Sequence, residues 1–227
     1  MSSDKSAQKK RAGYRAAEYV EDGMVVGLGT GSTAKYAIEK IVQRLEEENL
    51  NIEAIPTSLK TEKRAENANI PLTQLDSANK IDLTIDGADE VDPQSKLIKG
   101  GGGALLREKI IASNSKKNII IVDKSKMVDI LGKSFDLPVE ILSYGYKAIK
   151  EKIETLDCTA NLITKDQEIW ETDNGNYIVD CSFPKIDDPE SLSKDLNIIP
   201  GVVENGLFLD LADKIIIGKE KGFEERD

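Results

Sequence analysis

The stretch DGADEVDPQSKLIKGGGGALLREK, residues 86–109, decides how the rest of the chain is read. Asp86, Asp89 and Glu90 open it, and Asp92 follows closely. Lys99 then leads into four consecutive glycines, after which a helical pattern carries Arg107, Glu108 and Lys109. Such a glycine run has no side chains to pack and loses the most chain entropy on ordering. A folded domain keeps it where backbone must approach a ligand closely or adopt positive φ. The apolar run just upstream, residues 81–85, reads as a buried strand. Asp86 and Asp89 are thereby expected at a strand's carboxyl end, where open α/β sheets bind their ligands.

Outward from this stretch, strand and helix alternate. A helix is expected over residues 3–21, a strand over 24–28 and a helix over about 34–48. That helix carries Ala34, Ala37, Ile38, Ile41, Val42 and Leu45 on one face. A strand at 52–55, a helix at about 59–68, the strand at 81–85, a helix at 104–113 and a strand at 118–122 continue the rhythm. The alternation predicts a Rossmann-like parallel sheet with helices on both faces. After Leu131 and Gly132 the order changes. Strands at 137–142, 159–164, 177–182 and 198–203, with helices at 146–156 and 189–196, spell βαββαβ, a ferredoxin-like unit. The apolar runs at 207–209 and 215–217 are expected to return to the first sheet. The expected division is residues 1–131 with 205–227 as a catalytic α/β domain, and residues 132–204 as a small α+β domain.

Composition narrows the function. A chain of 227 residues with 39% hydrophobic and 32% charged residues can bury a sizeable core. No apolar run reaches the ~18 residues of a membrane span, and the N-terminal residues have no signal-peptide core, so a cytoplasmic protein is expected. A net charge of −10 argues against nucleic acid as a partner. It also means that a bound phosphate must be held by local donors. Cys158 and Cys181 match no CxxC pattern and are expected to be buried, reduced thiols. The absence of histidine excludes Ser-His and Cys-His catalysis and histidine-ligated zinc. Proton transfer here must use Asp, Glu, Lys or Tyr.

The segment GLGTGSTA, residues 27–34, lies between a strand and a helix. Its small residues let backbone N–H groups converge at a helix N-terminus, and Thr30, Ser32 and Thr33 add hydroxyls, which together suit an anion. It is neither GxGxxG nor a P-loop. The plainer reading is that Ser32 or Thr33 caps the helix. The DGADEVD acids could equally be a solvated loop or a divalent-cation site, although the spacing is not that of an EF-hand. Glu108 alone could be a solvent-facing helix residue, and Lys126 alone a surface lysine. Their convergence on one edge of one sheet favours a shared site.

Taken together, GLGTGSTA, SLKTE, DGADEVD, KGGGGALLREKI, VDKSKMVDILG and VENGLF resemble ribose-5-phosphate isomerase of the A type over nearly the whole chain. The resemblance implies a cofactor-free and metal-free aldose–ketose isomerase of the pentose phosphate pathway, with a Rossmann-like and a ferredoxin-like domain. It implies Glu108 as the base, Asp86 as ring-opening and hydroxyl-proton shuttle, Asp89 as a hydroxyl-binding group and Lys99 as oxyanion partner. Thr30, Gly31, Ser32, Thr33, Gly87, Ala88, Gly100, Gly101, Gly102 and Lys126 would line the substrate site. Gly103 departs from the family pattern, which has alanine there, without changing the register. A homodimer or homotetramer is implied. The rival readings are a sugar-phosphate-binding regulator without catalysis and a CoA-transferase-like enzyme of similar fold.

Overall fold

The computed structural model describes residues 2–78 and 80–227. In chain order the elements are α1 (Ser2–Ala17), β1 (Val25–Leu28), α2 (Ala34–Glu48), β2 (Glu53–Pro56), α3 (Leu59–Asn67), β3 (Leu83–Gly87), β4 (Glu90–Val91), β5 (Leu97–Ile98), α4 (Leu105–Ser113), β6 (Asn118–Asp123), β7 (Leu137–Ile141), α5 (Tyr146–Glu154), β8 (Thr159–Leu162), β9 (Thr164–Lys165), β10 (Glu168–Ile169), β11 (Tyr177–Ser182), α6 (Pro189–Asn197), β12 (Val202–Asn205), β13 (Leu207–Phe208), β14 (Lys214–Gly218) and β15 (Phe223–Arg226). Among the described residues no helix is long and apolar enough to cross a membrane.

Contacts divide the chain into two compact units, residues 1–88, 107–126 and 210–227, and residues 89–106 with 127–209. The first unit carries a six-stranded sheet in the order β15-β14-β6-β3-β1-β2. Its strands run parallel except β15, which returns antiparallel to β14. The strand order reverses between β1 and β3, and that is where an open parallel sheet leaves a crevice at its carboxyl edge.

The two-residue side-chain period of the strands sorts the faces. Val26 and Leu28 of β1, Leu83 and Ile85 of β3 and Ile119 and Ile121 of β6 pack against Ala12 and Ala16 of α1 and Ala37, Ile38 and Ile41 of α2. Ile111 of α4 packs with Ile55, Ile81 and Val25 in a separate cluster. Fully buried Ile41 is one residue this packing depends on, and its truncation to Ala costs about 2–5 kcal/mol. Local signals fix the helix starts. Ser58 caps α3 by accepting from the Thr61 amide at 3.1 Å, and Asp188 caps α6 ahead of Pro189.

The second unit carries an antiparallel sheet in the order β12-β7-β11-β8. Numbered within its own βαββαβ chain, that order is 4-1-3-2, which is ferredoxin-like. Val139, Ile141, Val179 and Cys181 of this sheet pack with Ile149 and Ile153 of α5 and Leu196 of α6. Cys181 is buried and Cys158 half-buried, and both are free thiols.

Several expectations shift. The strand expected at 81–85 forms at Leu83–Gly87, so Asp86 and Gly87 are inside its last turn of pairing. The strand expected at 198–203 forms at Val202–Asn205, because Ile198 is the C-cap of α6. Of the two tail runs, β14 joins the first sheet, whereas β13 joins β5 and β4 in a separate three-stranded sheet. That small sheet groups residues 89–106, 127–131 and 205–209 with the second unit, where the sequence division had left them with the first. The short pairs β9–β10 and β14–β15 were not anticipated.

Candidate active site

The candidate residues fall in both units. The chain passes between the units at Ala88/Asp89 and again at Leu106/Arg107, and Asp86, Asp89, Lys99 and Glu108 all belong to the stretch holding those two crossings.

In the first unit, Leu83 and Ile85 point into the α1–α2 core, so Thr84 and Asp86 project on the opposite side of the sheet. Thr84 bonds there to Ser115 at 2.6 Å, just beyond the end of α4. Asp86 is 3% exposed, and its Oδ1 accepts from the Thr30 amide at 3.0 Å and from the Gly87 amide at 2.7 Å. A side chain at Gly29 would collide with that carboxylate, so the close approach of β1's end to β3 requires glycine. Glu108 stands three residues before Ile111 on α4, and therefore on the helix face that packs against the sheet. It is buried, with 5% exposure. Asp86 and Glu108 thus project on the same side of the sheet.

The GLGTGSTA loop resolves into distinct roles. The Thr30 hydroxyl faces a cluster of Thr57, Ser58 and Thr61 hydroxyls at 2.8, 2.7 and 3.1 Å, and Thr61 donates back to the Gly29 carbonyl. This explains why the SLKTE segment accompanies the glycine loop. Gly31 has φ +116°, and Ser32 is exposed. Thr33 is the N-cap of α2, yet its side chain makes no capping hydrogen bond, so the plain capping reading does not account for it. Lys9 of α1 donates to Ser32 Oγ at 2.9 Å and lies 4.0 Å from Asp123, at the end of β6. Lys126 closes the 3-10 turn Lys124–Lys126 directly after β6. The carboxyl ends of β1, β3 and β6 are neighbours in the sheet, so these donors line one edge.

In the second unit, Asp89 pairs through its amide with the Ile98 carbonyl at 2.8 Å, and its Oδ2 accepts from the Gly101 amide at 2.9 Å. The glycine run is a tight turn, closed by the Gly103 amide on the Gly100 carbonyl at 2.8 Å. Gly100 and Gly103 both have positive φ, +107° and +74°. Lys99 is buried with 3% exposure, its amide donates to the Gly206 carbonyl at 2.9 Å, and its ammonium lies 5.2 Å from the Phe208 ring centroid. The VENGLF segment therefore serves to seat Lys99.

The acids of DGADEVD separate by partner. Glu90 is buried and accepts from the amides of Gly132 and Ser134 at 2.6 and 2.5 Å. Asp92 Oδ1 accepts from the amides of Gln94 and Lys96 at 2.9 and 2.8 Å. Both hold loops. Asp86 and Asp89 instead flank the chain crossing. Among the described residues no group of three or more His, Cys, Asp or Glu side chains is arranged to hold a metal ion. Half-buried Asp180 has its carboxyl pushed up to about 6, first by burial and then by Asp136 and Asp89.

Lys9 and Thr57 are not singled out by the sequence, and Ser58, Thr61, Gly206 and Phe208 lie in the SLKTE and VENGLF motifs without a role that the sequence assigns. The buried Gln8, Ala12 and Ala16 repeat every four residues and fix which side of α1 faces inward, placing Lys9 on its flank. No local signal separates Lys9 from its neighbours Lys5 and Lys10.

Comparison with known proteins identifies the family. Residues 53–222 match the family described as ribose 5-phosphate isomerase A (phosphoriboisomerase A). The chain is 50% identical over 218 residues to a ribose-5-phosphate isomerase A of Bacillus mycoides strain KBAB4, covering 96% of this chain and 98% of that one. It is 50% identical over 214 residues to one from Streptococcus pneumoniae strain Hungary19A-6, covering 94% of each. Among solved structures, ribose 5-phosphate isomerase from Plasmodium falciparum superposes with a TM-score of 0.95 at 40% identity, covering 98% of each chain. A D-ribose-5-phosphate isomerase in complex with phospho-erythronic acid superposes with a TM-score of 0.94 at 41% identity, covering 97% of each.

Proposed function

The chain belongs to the ribose 5-phosphate isomerase A family, and from that premise we propose how its own residues interconvert D-ribose 5-phosphate and D-ribulose 5-phosphate. The Glu108 carboxylate removes the C2 hydrogen of the open-chain aldose as a proton. The electron pair forms the C1–C2 double bond, and negative charge develops on O1. The Lys99 ammonium stabilises that oxyanion, the kind of fixed charge that lowers such a barrier most. Asp86 assists ring opening and passes the hydroxyl proton between O2 and O1. Glu108 then returns its proton to C1, which leaves the ketone at C2. The sum is one hydrogen moved from C2 to C1 and one proton moved from O2 to O1, with no change in net oxidation state and no cofactor required.

Asp89 holds sugar hydroxyls with the backbone of Gly87, Ala88, Gly100, Gly101 and Gly102. The phosphate is assigned to the N-terminal end of α2, with Gly31, Ser32, Thr33 and the ammonium of Lys9, and with Lys126 from the end of β6. The observation that carries the reading is the pairing of a backbone-held Asp86 with a buried Glu108 on one side of the sheet. We also assign the protein to the cytoplasm, as a homodimer or homotetramer. Its two compact units are taken as the Rossmann-like and ferredoxin-like domains. Conversion of ribose 5-phosphate by the purified protein, with and without a chelator, tests the reading. Turnover undiminished by chelator supports it, and no turnover overturns it.

A further inference from the structure

The chain has a single tryptophan, Trp170, and it sits where the glycine run turns. A Cβ at Gly103 would fall within the van der Waals envelope of the Trp170 ring, so the ring occupies the space that any other residue at 103 would need. Gly103 also holds φ +74° and closes the turn onto Gly100, so ring and turn are matched to each other. The other side of the turn is equally close-fitting. A Cβ at Gly101 would meet the Phe135 ring at 2.6 Å, and the Gly101 amide donates to Asp89. The run is therefore held between two aromatic rings, with the Asp89 carboxylate fixed by its backbone.

Trp170 is itself firmly mounted. Its amide donates to the Ile163 carbonyl at 3.1 Å, and the Ile163 amide donates to Ile178 of β11 at 3.0 Å. Between those residues β9 and β10 form a two-stranded hairpin, closed at Asp166 and Gln167 with φ +52° and +69°, the backbone of a tight primed turn. A cavity of about 260 Å³ lies between this hairpin and the run, lined by Gly101, Gly102, Gly103, Ile163, Lys165 and Trp170. The hairpin thus transmits the position of the central sheet of the second unit to the one segment that has no side chains with which to anchor itself.

We propose that Trp170 is a positioning residue, which holds the turn at residues 100–103 in the conformation that presents Asp89 and Lys99 to the substrate, and that its ring reports on occupancy of that turn. The inference rests on the isomerase reading above. A preorganised turn matters because misplacement of reacting groups by about 1 Å costs on the order of 100-fold in rate.

The test uses the full-length protein and four variants: Trp170→Ala, Trp170→Phe, Gly103→Ala and the double Gly103→Ala/Trp170→Ala. Trp170→Ala is expected to lower kcat for ribose 5-phosphate about tenfold, with KM changed less than about twofold. Trp170→Phe is expected to restore most of that loss. Gly103→Ala is expected to lower kcat at least as far and to alter the tryptophan emission without ligand. Removing the ring from that variant is expected to recover about threefold, a coupling that independent sites would not show. In the wild type, emission should change as ribose 5-phosphate saturates the protein. Unchanged kcat in Trp170→Ala together with an unresponsive emission overturns the inference while leaving the isomerase reading intact. A wild-type protein that does not turn over ribose 5-phosphate overturns both. Should the double variant fail to fold, Trp170→Phe and the wild-type emission still decide.

Discussion

The Thr30 amide donates to Asp86 Oδ1 at 3.0 Å, so the glycine loop after β1 directly fixes the carboxylate at the end of β3. This bond spans the point where the strand order of the sheet reverses, and it exists because Gly29 has no side chain to hold the strands' ends apart.

Gly29→Ala puts a Cβ against the Asp86 carboxylate and 2.5 Å from the Asp86 Cα, so it is expected to displace the β3 backbone together with the carboxylate. Overpacking against backbone is expected to cost about 3 kcal/mol of stability or more, and kcat to fall by on the order of 100-fold or more. Circular dichroism and steady-state kinetics on the same preparation separate the two effects. A variant with normal kcat would mean that the Asp86 position is not critical.

Lys9 reaches Ser32 from α1 and supplies a cation beside the start of α2. Lys9→Ala is expected to raise KM for ribose 5-phosphate about tenfold, the loss of one charge-assisted contact, with kcat within a few-fold. Any residual turnover of ribose lacking the phosphate should be insensitive to the change. A pure kcat effect would place Lys9 at the reacting carbons instead.

Lys99 differs from Lys9 in being buried, seated by Gly206 and Phe208. Lys99→Ala is expected to lose on the order of 100-fold or more in kcat, whereas Lys126→Ala is expected mainly to raise KM. Equal, modest KM effects from both would reduce Lys99 to a binding residue.

Much of this fold is legible in the sequence alone. The strand–helix alternation is carried by local periodicity, and so β1, α2, β3, α4 and β6 lie close to their expected places. The two-residue strands β4, β5 and β13 are not readable, because two residues are too few to show a period and β13 pairs with β5 across more than a hundred positions. For the same reason Gly206 and Phe208 could not be linked to Lys99 from sequence. Four acids within seven residues look alike as letters, and only their hydrogen-bond partners separate the loop-holding Glu90 and Asp92 from Asp86 and Asp89. Lys9 was missed because the docking of α1 on α2 decides which of several lysines reaches Ser32.

Asp180 gives a pH dependence whose sign is fixed by its surroundings. Burial, then Asp136 and Asp89, raise its carboxyl from 3.8 to about 6 in the folded protein. The native state consequently binds a proton that the unfolded chain lacks between those values, and this contribution to stability is complete below about pH 3.8 and lost as pH rises through 6. Asp180→Asn is expected to stabilise the protein at pH 7.5 by on the order of 1 kcal/mol, discounted for partial solvent screening. That corresponds to about 2–4 °C in Tm. Near pH 4 the gain should vanish. A Tm gain that is the same at both pH values would exclude the titration of Asp180 as its source.

The central claim is that one carboxylate, Glu108, carries hydrogen between C2 and C1. It is tested most directly by incubating ribose 5-phosphate in deuterium oxide with wild type and with Glu108→Gln, then following deuterium at those carbons by NMR. Wild type is expected to introduce deuterium during interconversion, and Glu108→Gln, folded and still able to bind the sugar phosphate, to introduce none above background. Deuterium entering at the wild-type rate in Glu108→Gln would contradict the assignment.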